Sequence, residues 1–382
     1  MSLRPSAKRT LRRRLLIAAV GCCCTLAAAP APLANLPRLF CCFQANPARP
    51  EETASRYDVI IWHNHPTLQQ ALVNLKQRSP HLTGLMYREL FCILQEETPM
   101  EESVGHAAWI ERHHPDWFQR DLQGRRVEVP DYPGRWMMNL GHPDWQAFWI
   151  EQTLADVADG GWDGVFVDDA LTNVHAHQLP PLAGYADDAA LQEAVTQFLS
   201  RITAAFHAAG KVVIANASNT SDYPGLWERW LQVTDGLMEE HFAGTGWTWG
   251  PDVATRQLAA MRSAERLGKW MLCFTYGDWD DVKRMESSLA AYLVGAGPRV
   301  YWSYRPARES EPTVAPAAQS VQVGRPLGPA TVDGSLWQRR FEQAVALVNV
   351  GAQPRRTQTP CGLVELDPYQ GRILHTDCRP FS

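Results

Sequence analysis

The chain has 382 residues, 45% of them hydrophobic, and a formal net charge of −5. That is enough for one large domain with a sizeable core plus something smaller. The first 34 residues hold six basic groups and no acid, so the rest sets 30 Lys and Arg against 41 Asp and Glu, a net −11. So acidic a body excludes a nucleic-acid binder.

The chain opens with a targeting pattern. Arg4, Lys8, Arg9, Arg12, Arg13 and Arg14 precede a short apolar run and then small residues fit for cleavage. The run is too short for a spanning helix, so residues 1–34 are expected to be a signal peptide. The expected location is exported: periplasmic, secreted or lipid-anchored to the envelope. Arg12 to Leu16 resembles a twin-arginine signal. Val20-Gly21-Cys22 resembles a lipoprotein cleavage site, although Ala19 stands where a large aliphatic is preferred. Membrane anchoring through this segment therefore stays open. Residues 35–56 are rich in Pro and Ala, lack a period and read as a linker. Outside the signal lie Cys41, Cys42, Cys92, Cys273, Cys361 and Cys378, with no zinc spacing among them. Cys361 and Cys378 flank a short segment and are either a disulfide or two small hydrophobes.

Strand-like and helix-like segments then alternate. Residues 57–63 read as a strand, followed by a helix with Leu68, Leu72 and Leu75 on one face. Residues 82–90 read as the second strand. An irregular insertion over roughly 91–134 follows, with a helix near Ala107 to His114. Residues 134–140 read as the third strand, before a helix opened by Pro143 with Ala147, Ile150, Leu154 and Val157 on one face. "WDGVFVD" (162–168) is the fourth, and the next helix stops at Gly210. Residues 211–216, 235–240, 269–276 and 299–304 supply strands five to eight. Eight strand–crossover units in about 250 residues predict an α/β fold, a (β/α)8 TIM barrel over 57–310. A doubly wound sheet is the other arrangement for such alternation, but no Gly-rich phosphate loop follows the first strand. Short strands with turns over 318–382 predict a small C-terminal antiparallel β domain.

In a barrel the active site lies at the C-terminal ends of the strands. Asp168 ends the fourth strand and Glu240 the sixth. Gly164 precedes Asp168, and Gly236 precedes Glu240, by four positions. Side chains alternate with period 2, so each Gly shares a face with its acid, and the Gly is expected to leave room inside the barrel. By this parity Asp168 and Glu240 point inward, with Asp169 and Glu239 as second choices. Two carboxylates across an open site are what glycoside hydrolysis requires, one protonated and one ionised. The chain also has 15 Trp, most of them expected in the core. Trp145 and Trp149 lie in a helix and read as core. Trp62, Trp247, Trp249, Trp279 and Trp302 are candidates for stacking on sugar rings. His63, His65, Tyr87, Arg88, Asn216, His241, Tyr276 and Asp278 are candidates for polar contacts to substrate.

The pieces "HPDWFQRDLQGRRV", "NLGHPDWQAFWIEQTLADVADGGWDGVFVDD", "DGLMEEHF" and "VGRPLG…SLWQRRFEQAVALVNVG" span about residues 57–352. In them the chain resembles the hypothetical glycosyl hydrolase family 15. More distantly, it is similar to endo-α-1,4-polygalactosaminidase-like barrels. The resemblance implies a (β/α)8 barrel with a small β domain, sugar hydrolysis, and catalytic roles for Asp168 and Glu240. A rival is a zinc amidohydrolase, because His63 and His65 form an HxH after the first strand. It would also need a His after strand five, a His after strand six, which His241 offers, and an Asp after strand eight. Asn216 ends strand five and no acid ends strand eight, so no metal and no cofactor are expected. The reading is an exported, monomeric glycoside hydrolase acting on a carbohydrate. A non-catalytic carbohydrate-binding barrel of the envelope is the alternative.

Overall fold

Short apolar strands separated by amphipathic helices bury both faces only when the strands pair in parallel and the helices cover the outside. A computed structural model of the protein describes residues 36–42, 57–95, 102–217, 220–244, 251–306, 321–379 and 381. The expected signal peptide lies outside the described residues. In chain order the elements are β1 (Phe40–Cys42), β2 (Val59–Trp62), α1 (Pro66–Arg78), β3 (Thr83–Glu89), β4 (Cys92–Leu94), α2 (Ala107–His113), β5 (Arg135–Met137), α3 (Pro143–Asp159), β6 (Gly164–Asp168), α4 (Asp188–Ala208), β7 (Val212–Asn216), α5 (Leu226–Val233), β8 (Gly236–Glu239), α6 (Pro251–Leu267), β9 (Trp270–Tyr276), α7 (Val282–Gly295) and β10 (Val300–Arg305).

Eight strands pair in parallel in the order β1-β2-β3-β6-β7-β8-β9-β10. A parallel bridge from Leu39 to Trp302 joins the first strand to the last, and Trp302 N donates to Arg38 O at 2.9 Å. This is the expected barrel, with one of its eight strands replaced by another. Residues 134–140 are not a barrel strand: β5 pairs antiparallel with β4, Cys92 opposite Met137, in a hairpin. The eighth place is filled by β1, inside the stretch expected to be linker, which pairs in parallel with β2. The two errors cancel in the count, and strands four to eight keep their numbers. The physical cause is local. β5 precedes a Pro-led helix and so mimics a strand–helix unit, whereas three residues of β1 are too short to display a period.

Alternation divides the core. Phe40, Ile61, Leu85, Phe166, Met238 and Phe274 belong to a cluster inside the barrel. Their neighbours Trp62, Met86, Val165, Leu237 and Trp302 pack outward with the helices. Helix α3 turns inward a face rotated from the expected stripe: Trp145, Trp149 and Val157 are buried, Ile150 and Leu154 pack at its margin, and Ala147 is exposed. Bulky indoles occupy the contact line in place of the smaller aliphatic stripe. The helix after β6 is capped by Asp187, whose side chain accepts from Ala190 N, and is followed by Gly210 at φ 69°.

The C-terminal part is antiparallel, as expected. β11 (Thr331–Asp333), β12 (Leu336–Arg340), β13 (Ala344–Asn349) and β16 (Gly371–His375) form one sheet, and β14 (Arg355–Thr359) and β15 (Gly362–Leu366) form a separate hairpin. The larger sheet docks on α7. Glu286 Oε1 accepts from Ile373 N at 2.9 Å and Ser287 Oγ from Gly371 N at 3.1 Å. Gly371 approaches so closely that a Cβ there would lie 2.7 Å from Ser287 O. Cys361 and Cys378 form a disulfide, with Cα atoms 5.5 Å apart.

Candidate active site

The parity that fills the barrel also builds its mouth. Two residues beyond inward Tyr87 comes Glu89, beyond Phe166 comes Asp168, beyond Ile214 comes Asn216, beyond Met238 comes Glu240 and beyond Phe274 comes Tyr276. Tyr87 OH donates to Asp168 Oδ2 at 2.6 Å, and Asn216 Nδ2 donates to Asp168 Oδ1 at 2.8 Å. The same Asn216 nitrogen donates to Glu240 Oε2 at 2.6 Å, while Tyr276 OH donates to Glu240 Oε1 at 2.6 Å. One nitrogen thus touches both acids. Their nearest oxygens are separated by no more than those two contacts laid end to end. The glycines beneath the acids serve a purpose other than the expected interior space. A Cβ on Gly164 would lie 2.1 Å from Val212 O, and one on Gly236 would lie 2.4 Å from Trp270 Cβ, so both allow neighbouring strands to approach.

The mouth is crowded with carboxyls. Asp168 is pushed up to about 8 by burial, then by the charges of Asp169 and Glu240, against the hydrogen bonds from Tyr87 and Asn216. Burial and the same carboxylate hold the Tyr87 phenol well above its ordinary range, so it remains a donor. Glu89 is buried, and burial followed by Asp169 and Asp168 raises it well above the usual carboxylate range. Its Oε1 accepts from Leu90 N at 3.0 Å, and its Oε2 faces Arg135 at 3.5 Å. Arg135 also meets Glu102 at 3.0 Å, and Glu102 meets His63 at 3.7 Å. Burial lowers His63, against the pull of Glu102. Its ring stacks on Tyr87 at 4.8 Å.

Sequence reasoning missed Glu89, Glu102, Arg135 and His177. The signal for Glu89 was present, since it lies two residues past Tyr87 on a strand already recognised. Arg135 sits on the hairpin strand mistaken for a barrel strand, and Glu102 enters from the insertion. Asp169, Asp168 and Glu89 place one oxygen each within 4.8 Å of one another, the group among the described residues close enough to hold a cation. Neither His63 nor His65 belongs to it. His65 instead caps α1, its Nδ1 accepting from Thr67 N at 3.2 Å.

The other candidates divide by parity. Glu239 points away from the barrel interior, is buried, and is pushed up to about 8 chiefly by that burial. Arg88 also points outward, to Ser103 O at 2.7 Å and Asp156 at 2.5 Å. Trp62 and Trp302 are fully covered members of the outer core, and Trp302 Nε1 donates to Ser288 Oγ at 2.8 Å. They do not face the mouth, because Ile61 and Tyr301 take the inward positions. Trp145 and Trp149 are core, as expected. His241 lies 5.9 Å from the Tyr276 ring. Trp279 leans on Tyr304 at 6.1 Å, and Asp278 offers its carbonyl to Tyr304 OH at 3.1 Å. Trp247 and Trp249 lie outside the described residues.

Several solved structures are similar to this chain. A family-31 dextranase from Flavobacterium johnsoniae complexed with glucose aligns with a TM-score of 0.51 at 12% identity, over 91% of this chain and 52% of that one, a likeness of fold. A variant of the glycoside hydrolase domain of PelA from Pseudomonas aeruginosa aligns at 15% identity and TM-score 0.45, over 74% of this chain and 97% of that one. Ega3 from Aspergillus fumigatus, in complex with galactosamine, aligns at 14% identity and TM-score 0.45, over 74% and 95%. The comparison with curated proteins gives no match. The model of the hypothetical glycosyl hydrolase family 15 matches residues 76–345, well over half of the chain, and the chain therefore belongs to that glycoside hydrolase family.

Proposed function

We propose that this glycoside hydrolase cleaves its glycan with Asp168 and Glu240 as the reacting pair. The observation that carries this reading is the single Asn216 nitrogen shared by the two carboxyls, 2.8 Å from one and 2.6 Å from the other. Carboxyls about 5–5.5 Å apart attack directly and retain configuration, whereas inverting pairs stand about 6.5–9.5 Å apart to admit a water. Asn216 bounds only the nearest oxygens of the pair, and the retaining geometry meets that bound. One carboxylate attacks the anomeric carbon while its partner protonates the leaving oxygen. Water then releases the sugar from the enzyme, and the partner takes that water's proton. The raised proton affinity of Asp168 supports a pair that keeps one proton near neutral pH.

Export is part of the proposal. The basic and apolar start of the chain supports it, and so does the Cys361–Cys378 disulfide, since such bonds persist in oxidising compartments. Among the described residues no helix is long and apolar enough to cross a membrane.

The test is a polysaccharide panel, followed by NMR of the first-formed anomer from any glycan cleaved. Retention is expected. Asp168→Asn and Glu240→Gln should fold normally and bind that glycan within a few-fold, yet each should lose about a hundredfold or more in kcat. Asp169→Asn and Glu239→Gln should be milder. Undiminished turnover in both amide variants would place the chemistry elsewhere. A wild type that binds glycans and cleaves none would favour a carbohydrate-binding barrel.

A further inference from the structure

The loop that leaves β6 is held in an unfavourable backbone. Asp169, His177 and Gln178 all adopt left-handed conformations, with φ of 50°, 52° and 58°. Such conformations cost a non-glycine residue free energy and persist only where surrounding contacts impose them. Here the contacts converge on His177. Its Nε2 lies 3.5 Å from Asp169 Oδ1, its ring stacks on Phe91 at 5.2 Å, and Tyr132 covers it at 5.2 Å. The Gln178 side chain is tied to Asp131. The loop thus folds an imidazole back onto the carboxylate next in sequence to Asp168. That carboxylate stands within 4.8 Å of both Asp168 and Glu89.

We infer that His177 is a positioning residue for the reacting pair: by pairing with Asp169 it offsets that charge and so sets the pH at which Asp168 gives up its proton. The inference rests on the reading of Asp168 as one of the pair. The charged groups facing His177 are Asp169 from its own loop, Asp131 from the turn before β5 and Asp168 from the barrel. Glu89, Glu240 and Arg135 stand around the same mouth, and the Tyr132 phenol, pushed up to about 12 first by burial, stays neutral. Burial opposes a charge on His177, but the hydrogen bond and charge of Asp169 outweigh it and hold the imidazole above its ordinary value. A protonated His177 leaves less net negative charge beside Asp168. Losing it would make Asp168 cling to its proton to a higher pH.

The test needs no substrate. Protein labelled with 13C at the aspartate side-chain carboxyl is titrated by NMR, with the Asp168 signal assigned by its loss in Asp168→Asn. In His177→Gln the Asp168 midpoint should rise by about half a pH unit or more. In Asp169→Asn it should fall, and the double variant should lie close to Asp169→Asn alone, because His177 acts through Asp169. His177→Lys, which keeps a cation, should return the midpoint toward wild type. A packing role alone would treat Lys and Gln alike. An unmoved or lowered midpoint in His177→Gln, or a Lys variant indistinguishable from Gln, overturns the inference. Full glycan turnover by Asp168→Asn would instead overturn the catalytic reading and leave the titration result standing.

Discussion

At the scale of residues, the mouth shows how hydrogen-bond donors and crowded acids divide the work. Each member of the pair accepts from a tyrosine and from the shared Asn216. These donors favour the ionised form, whereas burial and Asp169 favour the protonated form of Asp168 and win, raising it to about 8. The sign of the pH dependence follows. Below that value Asp168 keeps a proton the pair can donate, and above it Asp168 gives that proton up. We therefore expect kcat/KM on a cleavable glycan to fall as pH rises through about 8. A pH–rate profile checks this, and a rate still climbing well above that value would contradict it.

At the scale of elements, strand spacing is set by what the neighbouring backbone tolerates. Gly164 begins a strand that ends at Asp168, and Gly236 begins one that ends one residue before Glu240. A side chain at Gly164 would meet the Val212 carbonyl at 2.1 Å, a contact with backbone that cannot swing aside. Gly164→Ala should therefore destabilise the protein by about 1–3 kcal/mol or more, as overpacked core positions do. Thermal unfolding reads this directly, and an unchanged melting temperature would show that β6 and β7 can separate at no cost. The hairpin of β4 and β5 matters differently. It adds no strand to the barrel, but it brings Arg135 to Glu89 and Glu102 in a mouth otherwise rich in acids.

At the scale of the whole molecule, the barrel supplies the site and the four-stranded C-terminal sheet covers α7, a helix buried along most of its length. Its hydrogen bonds to Ile373 and Gly371 explain why the C-terminal strands accompany the barrel. The expected signal peptide would add a location to this architecture. Its pattern leads us to expect that the mature protein lacks all residues up to a point between 22 and 34. Intact-mass measurement on protein from the native host decides the matter, and a single species beginning at Met1 would refute export by cleavage.

The sequence by itself determined the period of the strands, and from that period came the barrel, the inward direction of Asp168 and Glu240, and the core positions of Trp145 and Trp149. These are properties of alternation within one strand or one helix face, so they are legible in a single chain. What only the tertiary structure decided was which segments pair. That choice replaced residues 134–140 with β1, sent Trp62 and Trp302 to the outer core, and brought Arg135, Glu102 and His177 to the mouth. It also made Asn216 a bridge between two acids that lie 72 positions apart, Asp168 and Glu240. Such contacts join residues distant in sequence through barrel closure, and no local period records which distant strand will arrive next to which.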